Sequence, residues 1–307
     1  MATINLDFKR LFKHTGFILI LAIIIGLSFN QAASWIRHAV TPILGLVMTL
    51  SLLSISTETF REFRKLLRPM LLAIALNFVV LGGTFIGLST LIIHDHELWT
   101  GFVLIAAVPP AVAVIPYTYT LDGNTSLSLV GSIGAYLSAL IITPLLSISL
   151  LGTNYIEPVK LAAILIELII APLIVSRLLR LSSFLPVLEK HRGVAVNWGF
   201  FLVVYVIIGL NQDAFLAQPL VLLRVSTIAF ATTFILTYVI NSVARLLGVS
   251  KPDRISLILL GTRKNYGMAT AVCLTFFSAR AAIPTAVAMA FAIAQFIWLT
   301  FTVKNMN

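Results

Sequence analysis

Apolar runs separated by short polar interruptions repeat along the whole chain, and nearly every residue belongs to one of them. A membrane-spanning helix needs about 17–25 apolar residues. Runs of that length fall at roughly 14–32, 37–55, 68–93, 98–120 and 125–151, and again at 157–178, 193–211, 218–247, 251–277 and 279–303. The pattern predicts an all-α polytopic membrane protein with ten transmembrane helices. Loop charge orients them. With the N-terminus inside, Lys9, Arg10, Lys13, Arg61, Arg64, Lys65, Arg68, Arg177, Arg180, Lys190, Arg192, Arg245, Lys251, Arg254 and Lys304 collect on the cytoplasmic side. Only Arg37, Lys160, Arg224 and Arg280 fall on the other. Cytoplasmic loops carry the excess of Lys and Arg, so both termini are expected in the cytoplasm and the protein in the plasma (cell inner) membrane.

Ten runs divide into five and five, at residues 1–151 and 152–307. An odd number of helices per half inserts the second half upside down, as in inverted-repeat transporters. Two runs are interrupted at corresponding places. The fourth carries Pro109, Pro110 and Pro116, which an unbroken helix does not sustain. The ninth carries Gly261-Thr262-Arg263-Lys264-Asn265-Tyr266-Gly267, where the two glycines are expected to break the helix. Discontinuous helices at matching positions point to a transporter's binding site. In the fifth run, Ser128, Gly131, Ser132, Gly134, Ala135 and Ser138 give overlapping small-residue spacings that let helices approach closely.

Composition agrees with the pattern and removes other classes. The chain has 307 residues, 59% hydrophobic and 10% charged, with a mean hydropathy of +1.04. Soluble domains carry about 25% charged residues. A net charge of +10 would suggest nucleic acid in a soluble chain; here the positive residues lie in short loops and set topology. Lys9-Arg10 followed by Gly16–Phe29 resembles a signal peptide but lacks a small-residue cleavage site, so it reads as the first span. A single cysteine, Cys273, excludes an internal disulfide. No phosphate-binding loop, GxSxG or HExxH is present, so nothing argues for an enzyme or a cofactor. His94-Asp95-His96-Glu97 has the composition of a metal cluster but no matching ligands elsewhere, and no metal site is assigned.

The chemistry therefore rests on polar residues inside the apolar runs. Each central cation costs at least ~3 kcal/mol on insertion scales and is tolerated facing a protein interior or a water-filled cavity. Arg263 and Lys264 are two such cations side by side. Glu167 is the only acid well inside a run; it is either their structural partner or a protonatable coupling group. Asn77, Asn197 and Gln295 are uncharged candidates for interhelical hydrogen bonds or substrate contact. Tyr117, Tyr119 and Tyr266 offer hydroxyls to a cavity.

The stretch from Pro109 to Ser128 resembles the fourth-helix motif of the bile acid:sodium symporter family. Leu260 to Ala269 is similar to that family's ninth-helix motif, Glu-x-Gly-x-Gln-Asn-x-Gly-x-Ala, with Asn265, Gly267 and Ala269 kept. The resemblance implies a panel of helices 1, 2, 6 and 7 and a core of helices 3–5 and 8–10, in which the two broken helices cross at the family's sodium ions. By position, the sodium ligands fall on Val114, Ile115, Leu260 and Lys264. Ser128 and Ser132 retain hydroxyls, Asn77 stands where the family has a glutamine, and Gln295 is the nearest match to a polar pair in the tenth helix. Three ligands have become hydrocarbon and one a cation, so coupling to sodium is not expected.

These readings converge on a secondary transporter or facilitator of a small organic anion, working by alternating access. Arg263, Thr262, Asn265, Tyr117, Asn77 and Gln295 are the expected substrate contacts. Lys264, with Glu167, Ser128 and Ser132, is assigned to the ion site or coupling. The alternatives are a proton-coupled exchanger using Glu167 and Lys264, and a membrane receptor on the same fold.

Overall fold

The computed structural model describes residues 15–53, 63–152 and 157–303. Lys9, Arg10, Lys13, Arg61 and Lys304, which carry part of the orientation argument, lie outside them. The chain is helical because lipid offers no partner for backbone N–H and C=O groups, which must bond within the segment. In order, the principal helices are α1 (Thr15–Ser28), α2 (Ala33–Leu52), α3 (Leu67–Ile92), α4 (His96–Ala107), α5 (Val114–Thr120), α6 (Thr125–Leu151), α7 (Val159–Arg180), α8 (Leu185–Leu210), α9 (Pro219–Leu246), α10 (Lys251–Thr262), α11 (Tyr266–Phe276) and α12 (Arg280–Thr302), with a short helix, Gln212–Ala217, between α8 and α9.

This corrects the expectation of ten spanning helices. Among the described residues, seven helices are long and apolar enough to cross a membrane: α2, α3, α6, α7, α8, α9 and α12. The other three apolar runs yield shorter pieces. The first gives α1, of 14 residues. The fourth is split into α4 and α5, and the ninth into α10 and α11. Hydropathy counts apolar residues and is blind to the continuity of the backbone hydrogen bonds, so a run interrupted by Pro109-Pro110 scores as one span. Nor do these helices indicate a two-fold inverted repeat of five.

Helix α8 packs along α1 and α2, and α7 along α2. Separately, α6 packs on α3 and α4, α9 on α10 and α12, and α11 on α4 and α12. The small residues of α6 are used where α3 crosses it. A Cβ placed on Gly134 would lie 2.5 Å from Met70 Cβ and 3.0 Å from Met70 Cα, so only glycine permits that approach. Three helices contain a wider π-helical turn, at Ala75–Leu81 in α3, Ile166–Ile170 in α7 and Ala231–Ile235 in α9. Such turns re-aim side chains and occur often at functional sites.

His94-Asp95-His96-Glu97 serves the fold. Asp95 caps α4, its Oδ1 accepting from the N–H groups of Glu97 and Leu98 at 3.0 and 3.1 Å. Its Oδ2 pairs with Arg280 at 2.8 Å, joining the start of α4 to the start of α12. Burial works to raise the Asp95 pKa. The Leu98 N–H, the Arg280 guanidinium and the Glu97 N–H more than offset it, leaving the carboxyl below its ordinary value.

A depressed folded-state pKa contributes stability that is present above the unfolded value, near 3.9, and lost as pH falls through the folded one. Asp95→Asn keeps the helix cap and removes the charge. The pair is partly exposed, so the cost at neutral pH is expected to be about 0.5–1 kcal/mol. Melting curves of both proteins should begin to converge below about pH 4 and meet once the pH lies below the folded-state value; a gap that persists at that acid end would assign the effect to the cap and not to the ion pair.

Candidate functional site

Helix α4 stops because Val108 adopts an extended backbone (φ −80°, ψ 156°) ahead of two prolines, which have no N–H to continue the ladder. Helix α10 stops where Arg263 becomes extended (φ −120°, ψ 122°). The chain restarts as α11 with Asn265 as its cap, Oδ1 accepting from Met268 N–H at 3.1 Å. Each interruption leaves backbone carbonyls without a helical partner, deep in the protein.

The two breaks satisfy each other. Asn265 N–H donates to the Pro109 carbonyl at 2.8 Å. The Tyr136 hydroxyl, from α6, donates to the Pro110 carbonyl at 2.8 Å, and Thr143 donates to that of Ala107 at 2.7 Å. Lys264 is fully buried. Its Nζ donates to Asn77 Oδ1 at 2.9 Å and to the carbonyls of Ala106 and Val108 at 2.7 and 2.8 Å. The same ammonium lies 4.6 Å from the Phe78 ring centroid. Asn77, in the π-helical turn of α3, donates onward to the carbonyls of Leu260 and Arg263 at 3.1 and 3.0 Å. One lysine and one asparagine thus join the C-terminal ends of α4 and α10.

The glycines do not make the break, contrary to expectation. Gly261 is still inside α10, where a Cβ would meet Ile240 Cδ1 at 2.5 Å; Gly267 is inside α11, where it would meet Leu44 Cδ2 at 2.6 Å. Both admit a neighbouring helix. Pro116 sits in the first turn of α5, a position that tolerates proline.

Beside the breaks lies a cavity of about 290 Å³. Its wall draws on α1, α2 and α8 on one side and on the two interruptions, α5, α11 and α12 on the other. Most of the surface is apolar, from Leu19, Val47, Phe200, Met289 and Ile293 among others. No Asp or Glu is among the described lining residues, whereas Arg192, Arg263 and Lys264 are. Arg263 is 3% exposed, and its Nε and Nη2 have no hydrogen-bond partner. The Tyr266 hydroxyl is likewise buried and unpartnered. The guanidinium carbon stands 5.3 Å from the Tyr117 ring centroid, and Tyr117 itself stacks on Phe296 at 3.8 Å.

Of the residues expected to touch substrate, Arg263, Asn265 and Tyr117 line this cavity; Asn77, Thr262 and Gln295 do not. Asn77 is spent on the helix ends. Gln295 donates to the Thr233 carbonyl at 3.0 Å and to Thr262 Oγ1 at 3.1 Å, and also bonds Thr237, tying α9, α10 and α12 together. The expected coupling set is also divided. Ser128 shares a 2.7 Å hydrogen bond with Thr118, and Ser132 is buried without a partner. Around them Val114, Ile115 and Leu260 belong to the apolar core. Glu167 is exposed on α7, in a π-helical turn, and forms no ion pair with Arg263 or Lys264. A carboxylate on the outer face of α7 cannot neutralise cations held between α4, α10 and α11. Two participants escaped the sequence reading. Arg192 was counted as a loop charge because its apolar run starts at 193, yet α8 begins at Leu185 and carries it into the wall. Tyr136 looks like one more aromatic in a spanning helix, and nothing in its neighbours marks it.

Across residues 11–307 the chain matches the SBF-like CPA transporter family, to which it belongs. A relative from Bacillus subtilis (strain 168), named "uncharacterized sodium-dependent transporter YocS", is 21% identical over 276 residues, 89% of this chain and 85% of the relative. The protein is therefore a polytopic helical membrane protein of a transporter family, not an enzyme.

Tyr136→Phe should expose how much the interrupted backbone depends on borrowed donors. It leaves the buried Pro110 carbonyl without a partner, at a cost of about 1–3 kcal/mol. Tyr205→Phe, whose acceptor Phe29 is exposed, serves as the control and should cost less. Equal melting temperatures for the two variants would show that the Pro110 carbonyl needs no donor.

Proposed function

We propose that this member of the SBF-like CPA transporter family is a secondary transporter or facilitator of a small organic anion, working by alternating access. The observation that carries the reading is Arg263, a guanidinium 3% exposed on a cavity wall with Nε and Nη2 unpaired and no acid beside it. A buried unpaired charge is costly, and a substrate carboxylate or sulfonate would relieve it through two parallel N–H···O bonds. The Tyr266 hydroxyl offers a third donor. A volume near the low end of the ~300–1,000 Å³ range of ligand pockets supports a small substrate. The apolar remainder of the wall suits a hydrocarbon or aromatic body.

The movement would set α1, α2, α7 and α8, as a panel, against a core of α3–α6 and α9–α12. Because the cavity wall takes residues from both groups, sliding one against the other would open it to alternate sides. The excess of Lys and Arg in the loops supports cytoplasmic termini. Proton exchange through Glu167 and Lys264 is the weaker reading, since Glu167 is exposed on α7 and lies apart from Lys264.

Purified protein should show a thermal shift with aromatic or short-chain carboxylates and sulfonates, and should carry the best binder across liposome membranes. Arg263→Gln should weaken binding by about 30-fold or more, as expected for removing one partner of a buried charge pair. A protein that binds the anion but never moves it would be a receptor. Undiminished flux in Arg263→Gln would remove Arg263, and the reading with it.

A further inference from the structure

The relative's name speaks of sodium, and the crossing of two interrupted helices presents carbonyl oxygens that a monovalent cation would suit. The residues of this chain do not fit such an ion. Helix C-termini carry partial negative charge on their unbonded carbonyls. Here the end of α4 meets a cation that is already part of the protein, while the end of α10 meets the Asn77 amide that the same cation holds. All three ammonium protons of Lys264 are taken, by Asn77 Oδ1 and by the carbonyls of Ala106 and Val108, within 2.7–2.9 Å. The carbonyls of Leu260 and Arg263 are likewise taken, by the Asn77 amide. No carboxylate forms an ion pair with Lys264 among the described residues. Val114, Ile115 and Leu260, where the resemblance puts ion ligands, are buried hydrocarbon side chains with no oxygen to offer. A metal ion placed here would displace the ammonium or sit against it, and either arrangement brings a second positive charge into a site with no acid to balance it.

We propose that the Lys264 ammonium is the resident cation of the helix crossing, and that the protein neither binds sodium there nor is driven by it. A flexible four-carbon stem gives the side chain the reach this requires, and three N–H groups give it the donors. An ion that arrives from solution can leave with the substrate and so link the two gradients. A cation bonded to the chain between α10 and α11 cannot. Asn77 completes the arrangement, since its carbonyl oxygen holds the ammonium while its amide nitrogen bridges to the far end of α10. The statement about driving force rests on the transport reading; the statement about the cation does not, and it is tested without flux.

The experiment is the melting temperature of the detergent-purified full chain in sodium chloride and in choline chloride. A ligand that binds the folded state stabilises it by mass action, so wild-type protein is expected to differ by less than about 1 °C between the two salts. Lys264→Ala should lower the melting temperature by about 5 °C or more, because unpaired helix ends are left in the core. Propylammonium, the amputated part of the side chain, should raise the melting temperature of Lys264→Ala and leave wild type unchanged. Sodium-dependent stabilisation of wild type, or a Lys264→Ala protein as stable as wild type, would overturn the proposal. So would a propylammonium response shared by both proteins or absent from both. Should Lys264→Ala fail to fold, binding of radioactive sodium to wild type decides alone: none is expected, and one ion per chain refutes the idea.

Discussion

A helix that stops halfway through a membrane must dispose of its last carbonyls without help from water. Two helices do so here, α4 and α10, and their ends point at one another. The ammonium of Lys264 and the amide of Asn77 answer both. Everything nearby is arranged around that solution. Pro109 and Pro110 create the gap in the first helix, and Asn265 and Tyr136 take up the carbonyls that the prolines present. Gly261 and Gly267 bring Ile240 and Leu44 close enough to exclude lipid from the junction.

The two adjacent cations have opposite fates, and the difference is one of partners. Lys264 has three acceptors and Arg263 has two unpartnered nitrogens, although both are buried. The extended backbone at Arg263 separates them, sending one side chain to the helix ends and the other to the cavity. A satisfied charge is architecture. An unsatisfied one, in a wall with no acid, is a demand for a ligand.

Much of this was legible in the chain. Arg263 and Lys264 stand out because charge in the middle of an apolar run has to be explained, and the prolines announce a broken ladder. The count of spanning helices was not legible, because hydropathy reads Pro109 and Arg263 as passing irregularities in long apolar runs. The glycines were misread for a related reason. A glycine beside a break looks like its cause, but only the facing residues, Ile240 and Leu44, reveal that it is there for contact. Glu167 was expected as a partner of the buried cations because an acid inside an apolar run invites pairing with the nearest ones, and sequence does not say which face of α7 it occupies. Gln295 and Thr262 were expected at the substrate and instead hold helices together, since a buried amide meets whatever acceptors its neighbours supply.

The unpaired guanidinium has an electrical consequence. On the proposed reading, a bound monoanion neutralises Arg263 on the loaded stroke, and the emptied carrier returns with that charge bare, while Lys264 stays with its carbonyls throughout. Each turnover then moves one net charge across the membrane. A potential of about 100 mV acts on a unit charge with about 2.3 kcal/mol, which biases the equilibrium by about 50-fold. With the cell interior negative, the bias runs outward, so the membrane voltage itself would favour expulsion of the anion over its accumulation. The sign of the current across a protein-loaded planar bilayer reads this directly, and an electrically silent flux would refute it.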